Sequence, residues 1–84
     1  MDKDIYCIFS LFDRNIKVQT LDKSIDETIN IEDINKIADF CQQNHISTIH
    51  LMTNEQYGLE YKNTLSTYMK TKYGHNVVEI KINS

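Results

Sequence analysis

The residues of this 84-residue chain best suited to chemistry are two pairs of neighbouring carboxylates. Asp26 stands beside Glu27, and Glu32 stands beside Asp33. Neighbouring residues on a helix point in different directions, so neither pair predicts an acid and a base acting on one substrate. The chain also has no glycine-rich phosphate loop, no nucleophile elbow and no reactive-cysteine signature. The sequence therefore predicts no catalytic residue and no cofactor.

A polar seam, HLMTNEQYG, joins a predicted strand to a predicted helix. Ligands of parallel sheets bind beyond the carboxyl ends of the strands. If the second strand ran parallel to the third, Asp22 would meet Asn54 and Glu55 there, which predicts a small-ligand or hydrolytic site as an alternative function. Thr53 and Gln56 have the spacing of a capping box, so we favour ordinary helix capping as the role of this seam.

Histidines and cysteines give little support for a metal site or a disulfide. His45 and His75 would meet at one rim of the sheet, but two imidazoles without a third ligand make a weak site, and we predict no bound metal. Cys7 falls in an apolar strand and Cys41 on the apolar face of a helix. Both are therefore predicted to be buried thiols rather than partners in a disulfide.

The hydrophobic pattern predicts one α/β domain over residues 1–84 with the element order ββαβαβ. The first strand, IYCIFSLF, is apolar on both alternating sets and is expected in the middle of a sheet, covered on both faces. IKVQTL alternates as its hairpin partner, ISTIHLM is a third strand, and VVEIKI closes the chain. The expected architecture is a four-stranded mixed sheet packed with two amphipathic helices, its last two strands parallel.

The first helix is predicted to begin at an Asn30 cap and to end near Asn44. Glu32 and Asp33 would then stand in its first turn, where negative charge meets the positive end of the helix dipole. Its apolar stripe has the spacing i, i+3, i+4, i+7 and consists of Ile34, Ile37, Ala38 and Cys41.

The second helix is predicted to run from the seam to about Tyr73 and to end at Gly74. Leu65 and Met69 should face the core, and Gly58 indicates a close approach to the sheet. At 100° per residue the helix also carries a ridge of three tyrosines, Tyr57, Tyr61 and Tyr68. Tyrosines are frequent anchors in protein interfaces, so this ridge is a candidate partner-binding surface or homodimer surface.

The order of the elements, beginning with IYCIFSLF and a hairpin, is similar to part of the RNase H-like fold of Holliday-junction-resolvase relatives. This resemblance implies a metal held by an acidic residue inside the first strand. IYCIFSLF contains no acid, and Asp4 and Asp13 flank it instead. The resemblance is therefore one of topology and carries no active-site motif.

Charge is distributed unevenly along the chain, whose formal net charge is −3. Six acids and two lysines lie between residues 22 and 39, whereas residues 62–81 contain four lysines and one acid. Arg14 is the only arginine, which disfavours direct nucleic-acid binding. No apolar run could span a bilayer and the first residues do not resemble a signal peptide, so we expect a cytoplasmic protein without membrane contact.

These features predict a small acidic protein that acts by binding a macromolecule. The hypothesis in its most concrete form is a viral or mobile-element inhibitor, of the anti-CRISPR or other anti-defence type, that blocks a basic groove of a bacterial nucleic-acid enzyme. The partner-binding residues would be the three tyrosines with Asp26, Glu27, Glu32 and Asp33. A structural homo-oligomer, formed through the tyrosine ridge or through VVEIKI at a sheet edge, is a further alternative.

Overall fold

A computed structural model describes residues 3–10, 12–74 and 78–83 of the chain. It contains five strands and two helices in the order β1 (Lys3–Ser10), β2 (Asn15–Thr20), β3 (Asp26–Asn30), α1 (Ile34–Gln43), β4 (Ile46–Met52), α2 (Glu55–Tyr73) and β5 (Glu79–Asn83). In the part of the chain so described, no helix combines the length and the apolar character needed to cross a membrane.

The strands form one mixed sheet in the order β3-β2-β1-β4-β5. Strand β2 runs antiparallel to both of its neighbours, whereas β1, β4 and β5 are mutually parallel. The mixed sheet, the central position of β1 and the parallel last strands are confirmed. The strand count was wrong by one, because the sequence analysis treated β3 as part of a polar connection.

Both helices pack on one face of the sheet, so the prediction that β1 is covered on both faces was wrong. On that face Ile5 and Cys7 of β1 are fully buried, as are Ile49 and Leu51 of β4. The stripe of α1 that was predicted to be apolar meets them with Ile37, Ala38 and Cys41, and α2 contributes Leu65 and Met69. The prediction that both cysteines are buried is confirmed, and both are free thiols.

Neither of the two helices described above packs on the opposite face of the sheet. Tyr6 and Ile8 of β1 stand on this face beside His50 and Met52 of β4, as the pairing register requires. Ile8 and Met52 are each about two-fifths exposed. The rest of the face is polar, with Lys17 of β2 as one example. A sheet with one open face explains the alternation of buried and exposed residues along β2.

The predicted helix ends agree with the structure at both carboxyl termini, and α2 begins within the seam as predicted. Helix α1 ends at an Asn44 cap, and α2 ends at Gly74, whose φ of 82° is left-handed. The predicted start of α1 was wrong. Asp33, not Asn30, precedes the first residue of α1, and it makes no side-chain capping bond. Asn30 belongs to β3, and its side-chain oxygen accepts a hydrogen bond from the Glu32 amide at 2.9 Å.

Helix α2 is capped by Asn54 rather than by the predicted box of Thr53 and Gln56. The Asn54 side-chain oxygen accepts a hydrogen bond from the Tyr57 amide at 2.8 Å. Close packing at Gly58 is confirmed, because a Cβ added there would stand 2.9 Å from Ile82 Cγ2 of β5. The Asn54 cap fixes where α2 begins, and Gly58 lets its first turns pack closely against β5.

Candidate binding groove between strand β3 and helix α1

A groove of about 710 Å³ runs between β3, which is an edge strand, and α1. Its lining consists of the end of the β2–β3 turn, the whole of β3 and one side of α1: Ser24, Ile25, Asp26, Glu27, Thr28, Ile29, Asn30, Asp33, Lys36, Asp39, Phe40, Gln43 and Asn44. Most of these side chains are polar, and Phe40 packs against the core as the main aromatic surface in the groove. Pockets for small molecules are mostly apolar. A polar groove of this size is better matched to a segment of a macromolecule.

Four acidic residues and one lysine belong to the lining of the groove: Asp26, Glu27, Asp33, Asp39 and Lys36. The pairing register places the Asp26 side chain on the open face of the sheet beside Lys17, so Asp26 borders the groove at its edge. These five residues have a formal net charge of −3, which is also the formal net charge of the whole chain. Acids and bases are balanced over the rest of the chain, and the excess of negative charge is concentrated at this edge of the sheet.

Lysines stand near several of these acids without burying them. Asp26 lies 3.9 Å from the ammonium of Lys17, and Asp33 lies 3.5 Å from that of Lys36. Both pairs are exposed to solvent, where an ion pair contributes little free energy. Glu27 has no ion-pair partner among the described residues and is exposed. These three acids therefore remain accessible to a cation from outside.

Asp39 is the most strongly held acid of the groove, because two side chains of α2 contact it. It accepts hydrogen bonds from the Lys72 ammonium and, at 3.0 Å, from the Tyr73 hydroxyl. The bond from Lys72, followed by that from Tyr73, lowers the pKa of Asp39. The same contact raises the pKa of Lys72 to about 12. Asp39 thus ties α1 to the end of α2 and keeps its charge to low pH.

Glu32 does not lie with the other predicted partner-binding acids. Asp26, Glu27 and Asp33 line the groove, whereas Glu32 forms an ion pair with Arg14. The pair stands at the rim of a second cavity of about 350 Å³, which is lined by Arg14, Ile31, Glu32, Ile34, Tyr57, Glu60, Tyr61 and Thr64. The four acids predicted to act together are therefore divided between two sites.

The three tyrosines predicted to form a surface ridge have different environments. Tyr61 is only 7% exposed, so it belongs to the core, which corrects its predicted position at the boundary with solvent. The Tyr61 ring contacts the Phe9 ring edge-on at a centroid distance of 5.1 Å. The Tyr57 ring contacts the Phe9 ring in the same way at 5.6 Å. Tyr68 is half-buried beside the ammonium of Lys72, 5.7 Å from its ring centroid. A partner could reach Tyr57 and Tyr68 but not Tyr61.

The small-ligand site predicted from Asp22, Asn54 and Glu55 does not form. Strand β2 runs antiparallel to β1, while β4 runs parallel to it. The end of β2 therefore lies beside Ile5, near the start of β1, whereas the end of β4 lies beside Ile8. At about 3.3 Å per residue, Asp22 and Asn54 are separated by about 20 Å along the sheet. The antiparallel hairpin removes this alternative.

Asp22 organises the β2–β3 turn instead. Its Oδ1 accepts hydrogen bonds from the Thr20 hydroxyl at 2.7 Å, the Ser24 amide at 3.0 Å and the Ser24 hydroxyl at 2.8 Å. The Ser24 amide contributes most to lowering the pKa of Asp22 to about 2, followed by the two hydroxyls. Lys23 between them has a left-handed φ of 61°. This carboxylate holds the turn that leads into the groove.

A polar cluster on the open face joins three parallel strands through His50. Its Nε2 lies 3.2 Å from Asp4 Oδ2 of β1, and Asn83 Nδ2 of β5 donates to its Nδ1 at 3.2 Å. The ring stacks on Tyr6 at a centroid distance of 4.6 Å. The bond to His50 lowers the pKa of Asp4. Both ring nitrogens therefore have hydrogen-bond partners, and the cluster links the three parallel strands on the open face.

Asp4 lies inside β1, although the sequence analysis placed it outside the first strand. Its neighbours give it no metal partners: the described residues contain no group of three or more His, Cys, Asp or Glu side chains that could hold an ion. His45 is exposed, and its predicted neighbour His75 lies outside the described residues. The pairing of these two histidines is therefore untested by the structure.

The groove contains residues that the sequence analysis did not single out. Thr28 of β3 lies in its wall, and Phe40, Gln43 and Asn44 of α1 complete the other side. Phe40 could have been found from the sequence, because it neighbours the apolar stripe of α1. Thr28 could not, because a polar edge strand carries no pattern that distinguishes it from a loop.

The protein is a small mixed α/β domain with an acidic groove beside one edge strand. Comparison of the chain with protein-family models, with curated proteins and with solved structures found no match.

Proposed function

We propose that this protein binds another protein and that the acidic groove between β3 and α1 receives a basic segment of that partner. One observation carries the proposal: the residues that line and border the groove have a formal charge of −3, from four acids and Lys36, and the remainder of the chain is balanced. A concave surface of one sign concentrates the electric field and steers an oppositely charged partner toward itself.

The arrangement of the acids also supports a partner rather than internal pairing. Glu27 is exposed, and the pairs of Asp26 and Asp33 with lysines are too open to solvent to be strong. A partner's lysines or arginines can replace these contacts while burying the stems of their side chains on Phe40. Half-buried Phe40 thus supplies the apolar contact that charge attraction alone lacks.

The narrowest form of the proposal concerns inhibition. An acid-lined surface competes with the phosphates of nucleic acid for the same lysines and arginines. The expected partner is therefore a basic groove of a bacterial nucleic-acid enzyme, which the bound protein would block in the manner of an anti-CRISPR or other anti-defence protein.

The experiment measures the binding of a fluorescently labelled seven-lysine peptide by anisotropy. We expect the double variant Asp26→Asn/Glu27→Gln to bind it about tenfold more weakly, since each lost charge contact corresponds to a fraction of the roughly 1.4 kcal/mol that equals a tenfold change. The matched control, Glu60→Gln/Glu79→Gln, removes two exposed acids outside the groove and should change affinity less than about twofold. Equal losses in the two double variants would contradict a role for the groove.

A further inference from the structure

Strand β3 exposes backbone hydrogen-bonding groups along the groove. In an antiparallel pair, alternate residues direct both their N–H and C=O groups at the partner strand. The Thr20 amide donates to the Ile25 carbonyl at 3.0 Å, and the Ile31 amide donates to the Arg14 carbonyl at 2.9 Å. These two bonds establish that the odd-numbered residues of β3 face β2. The even-numbered residues therefore direct their backbone groups outward.

Those outward residues are Asp26, Thr28 and Asn30. The Asn30 carbonyl accepts a hydrogen bond from the Asp33 amide at 3.0 Å, and this occupies one of the outward groups. Both backbone groups of Asp26 and of Thr28, and the amide of Asn30, have no backbone partner among the described residues. They form a row to which a further strand can add.

We infer that an extended basic segment of the partner adds to β3 as a sixth strand of the sheet, antiparallel to β3. This inference rests on the proposed function and specifies how the groove holds its ligand. Side chains of the added strand would alternate between the two faces of the sheet. Residues opposite Glu27 and Ile29 would place their side chains on the helix face, in the groove between β3 and α1. Lysines at these positions reach the groove acids while their stems cover Phe40.

Charge favours a basic segment over a second copy of this chain. Two β3 strands paired edge to edge would bring two grooves, each with a net charge of −3, next to each other. Like charges this close oppose association. A basic strand instead joins backbone hydrogen bonds to opposite charges, which is the usual combination in recognition by strand addition.

The other edge of the sheet lacks this combination. Exposed Glu79 and Lys81 of β5 have opposite charges, so this edge has no net preference for a basic segment. Helix α2 also packs over β5, with Gly58 close to Ile82. The edge at β3 is therefore the one at which free backbone groups, a groove and an excess of negative charge coincide.

The test uses a labelled heptapeptide of alternating lysine and threonine, about 23 Å long when extended and hence longer than β3. Its lysines would enter the groove, and its threonines would direct their amides at Asp26 and Thr28. N-methylation of the central threonine removes one of these donors, whereas N-methylation of a neighbouring lysine removes an amide that faces away. We expect the first modification to weaken binding about tenfold and the second less than twofold.

A variant of the protein gives the reciprocal test. Thr28→Pro removes an outward amide without removing a bond to β2, and proline is tolerated on edge strands. Its binding should fall about tenfold, whereas that of Thr28→Val, which keeps the amide, should stay within about twofold. Thermal unfolding establishes that Thr28→Pro is folded; if it is not, the methylated peptides carry the test with the unaltered protein.

The outcomes separate the two proposals. Suppose that the groove variant Asp26→Asn/Glu27→Gln weakens binding, but that the peptide methylated at threonine and the peptide methylated at lysine bind equally well. Strand addition is then wrong, and the acidic groove is retained as a binding site. If neither the groove variant nor methylation changes binding, or if no peptide binds at millimolar concentration, both proposals are wrong. A dimer in light scattering that Thr28→Pro converts to a monomer would show that a second copy occupies the edge and would overturn the basic ligand.

Discussion

The hydroxyl of Tyr61 is the one buried side-chain polar atom without a hydrogen-bond partner among residues 3–10, 12–74 and 78–83. Its ring is useful to the core, where it packs edge-on against Phe9. Burial raises the pKa of this phenol far above its ordinary value, and the nearby Cys7 and Cys41 add to the effect. A buried hydroxyl without a partner costs about 1–3 kcal/mol. Tyr61 therefore stabilises the fold through its ring and opposes it through its oxygen.

The variant Tyr61→Phe is expected to raise the free energy of unfolding by about 1 kcal/mol, because it removes the unpaired oxygen and keeps the ring. The midpoint of thermal unfolding should rise by roughly 4–8 °C for a domain of this size. Urea denaturation and calorimetry measure both quantities. The control is Tyr68→Phe, at a half-buried residue of the same helix, whose effect should stay within about 0.5 kcal/mol. A loss of stability in Tyr61→Phe would mean that the oxygen has a partner.

Asp22 makes stability depend on pH through the β2–β3 turn. Its folded-state pKa of about 2 lies below the ordinary value of about 3.9, so its ionised form favours the folded state. This contribution is fully present above about pH 4 and is lost as the pH falls toward 2. Urea denaturation at several pH values should show a shallower acid dependence for Asp22→Asn. Glu60→Gln, which removes an exposed acid outside the turn, should retain the dependence of the unaltered protein.

Elements that are long enough to repeat their hydrophobic pattern could be predicted from the sequence. Short or polar elements could not. The buried stripe of α1 and the end of α2 at Gly74 follow from side-chain spacing and glycine geometry. Strand β3 has a single buried side chain, Ile29, so its five residues DETIN show no repeat. Because the same segment forms the groove wall, the missed strand was also the missed part of the candidate site. Three of the four groove acids, Asp26, Glu27 and Asp33, were among the predicted partner-binding residues, since charge is visible in the sequence without structure, whereas Asp39 was not.

The capping residues of the two helices were mispredicted for a related reason. Several residues before each helix can accept a capping hydrogen bond, and the sequence does not say which of them the sheet leaves free. Asn30 belongs to β3, so α1 begins after Asp33. Thr53 continues the pairing of β4 with β5, because its amide donates to the Asn83 carbonyl at 3.1 Å, and α2 begins after the next residue, Asn54, which caps it.

The close packing of α2 against β5 depends on Gly58. Alanine there would gain about 1 kcal/mol of helix propensity, but its Cβ would stand 2.9 Å from Ile82 Cγ2 and 3.0 Å from Thr53 Cγ2. Both neighbours are β-branched and stiff, and overpacking typically costs 1–3 kcal/mol. Gly58→Ala should therefore lower the free energy of unfolding by about 1 kcal/mol, measured by urea denaturation.

Two further variants test the cause of this loss. Thr67→Ala, at an exposed site of the same helix, should raise stability by a few tenths of a kcal/mol through propensity alone. The cost of Gly58→Ala should shrink when Ile82→Ala removes the nearest methyl group, which a double-mutant cycle detects. A constant cost in both backgrounds would argue against the clash with Ile82.

At the scale of the whole molecule, the chain forms two layers, a sheet and a pair of helices, with charge concentrated at one edge. This arrangement alters the prospects for self-association. The predicted tyrosine ridge is interrupted, because Tyr61 is buried. The β5 edge carries exposed charges of both signs, so like-charge repulsion does not oppose a homo-oligomer formed there. Light scattering over a range of concentrations distinguishes a dimer from a monomer.

Long-range attraction to the groove should make binding depend on salt. The Debye length falls from about 10 Å at 0.1 M salt to about 3 Å at 1 M, so raising the salt over this range should weaken binding of the lysine peptide severalfold. The effect should lie mainly in the association rate, measured by stopped-flow fluorescence. Asp26→Asn/Glu27→Gln should reduce the salt dependence, and Glu60→Gln/Glu79→Gln should leave it unchanged. A salt dependence shared equally by both double variants would mean that the steering charge lies elsewhere.

The imidazole that links Asp4 to Asn83 offers a spectroscopic reporter. Since Asn83 donates to its Nδ1, His50 is held as the tautomer that carries its hydrogen on Nε2. Detachment of the last strand would free Nδ1 and allow both tautomers to exchange, and the nitrogen chemical shifts of the ring would report this exchange. One side chain on the bare face of the sheet can therefore distinguish local opening at the carboxyl end of the chain from unfolding of the whole domain.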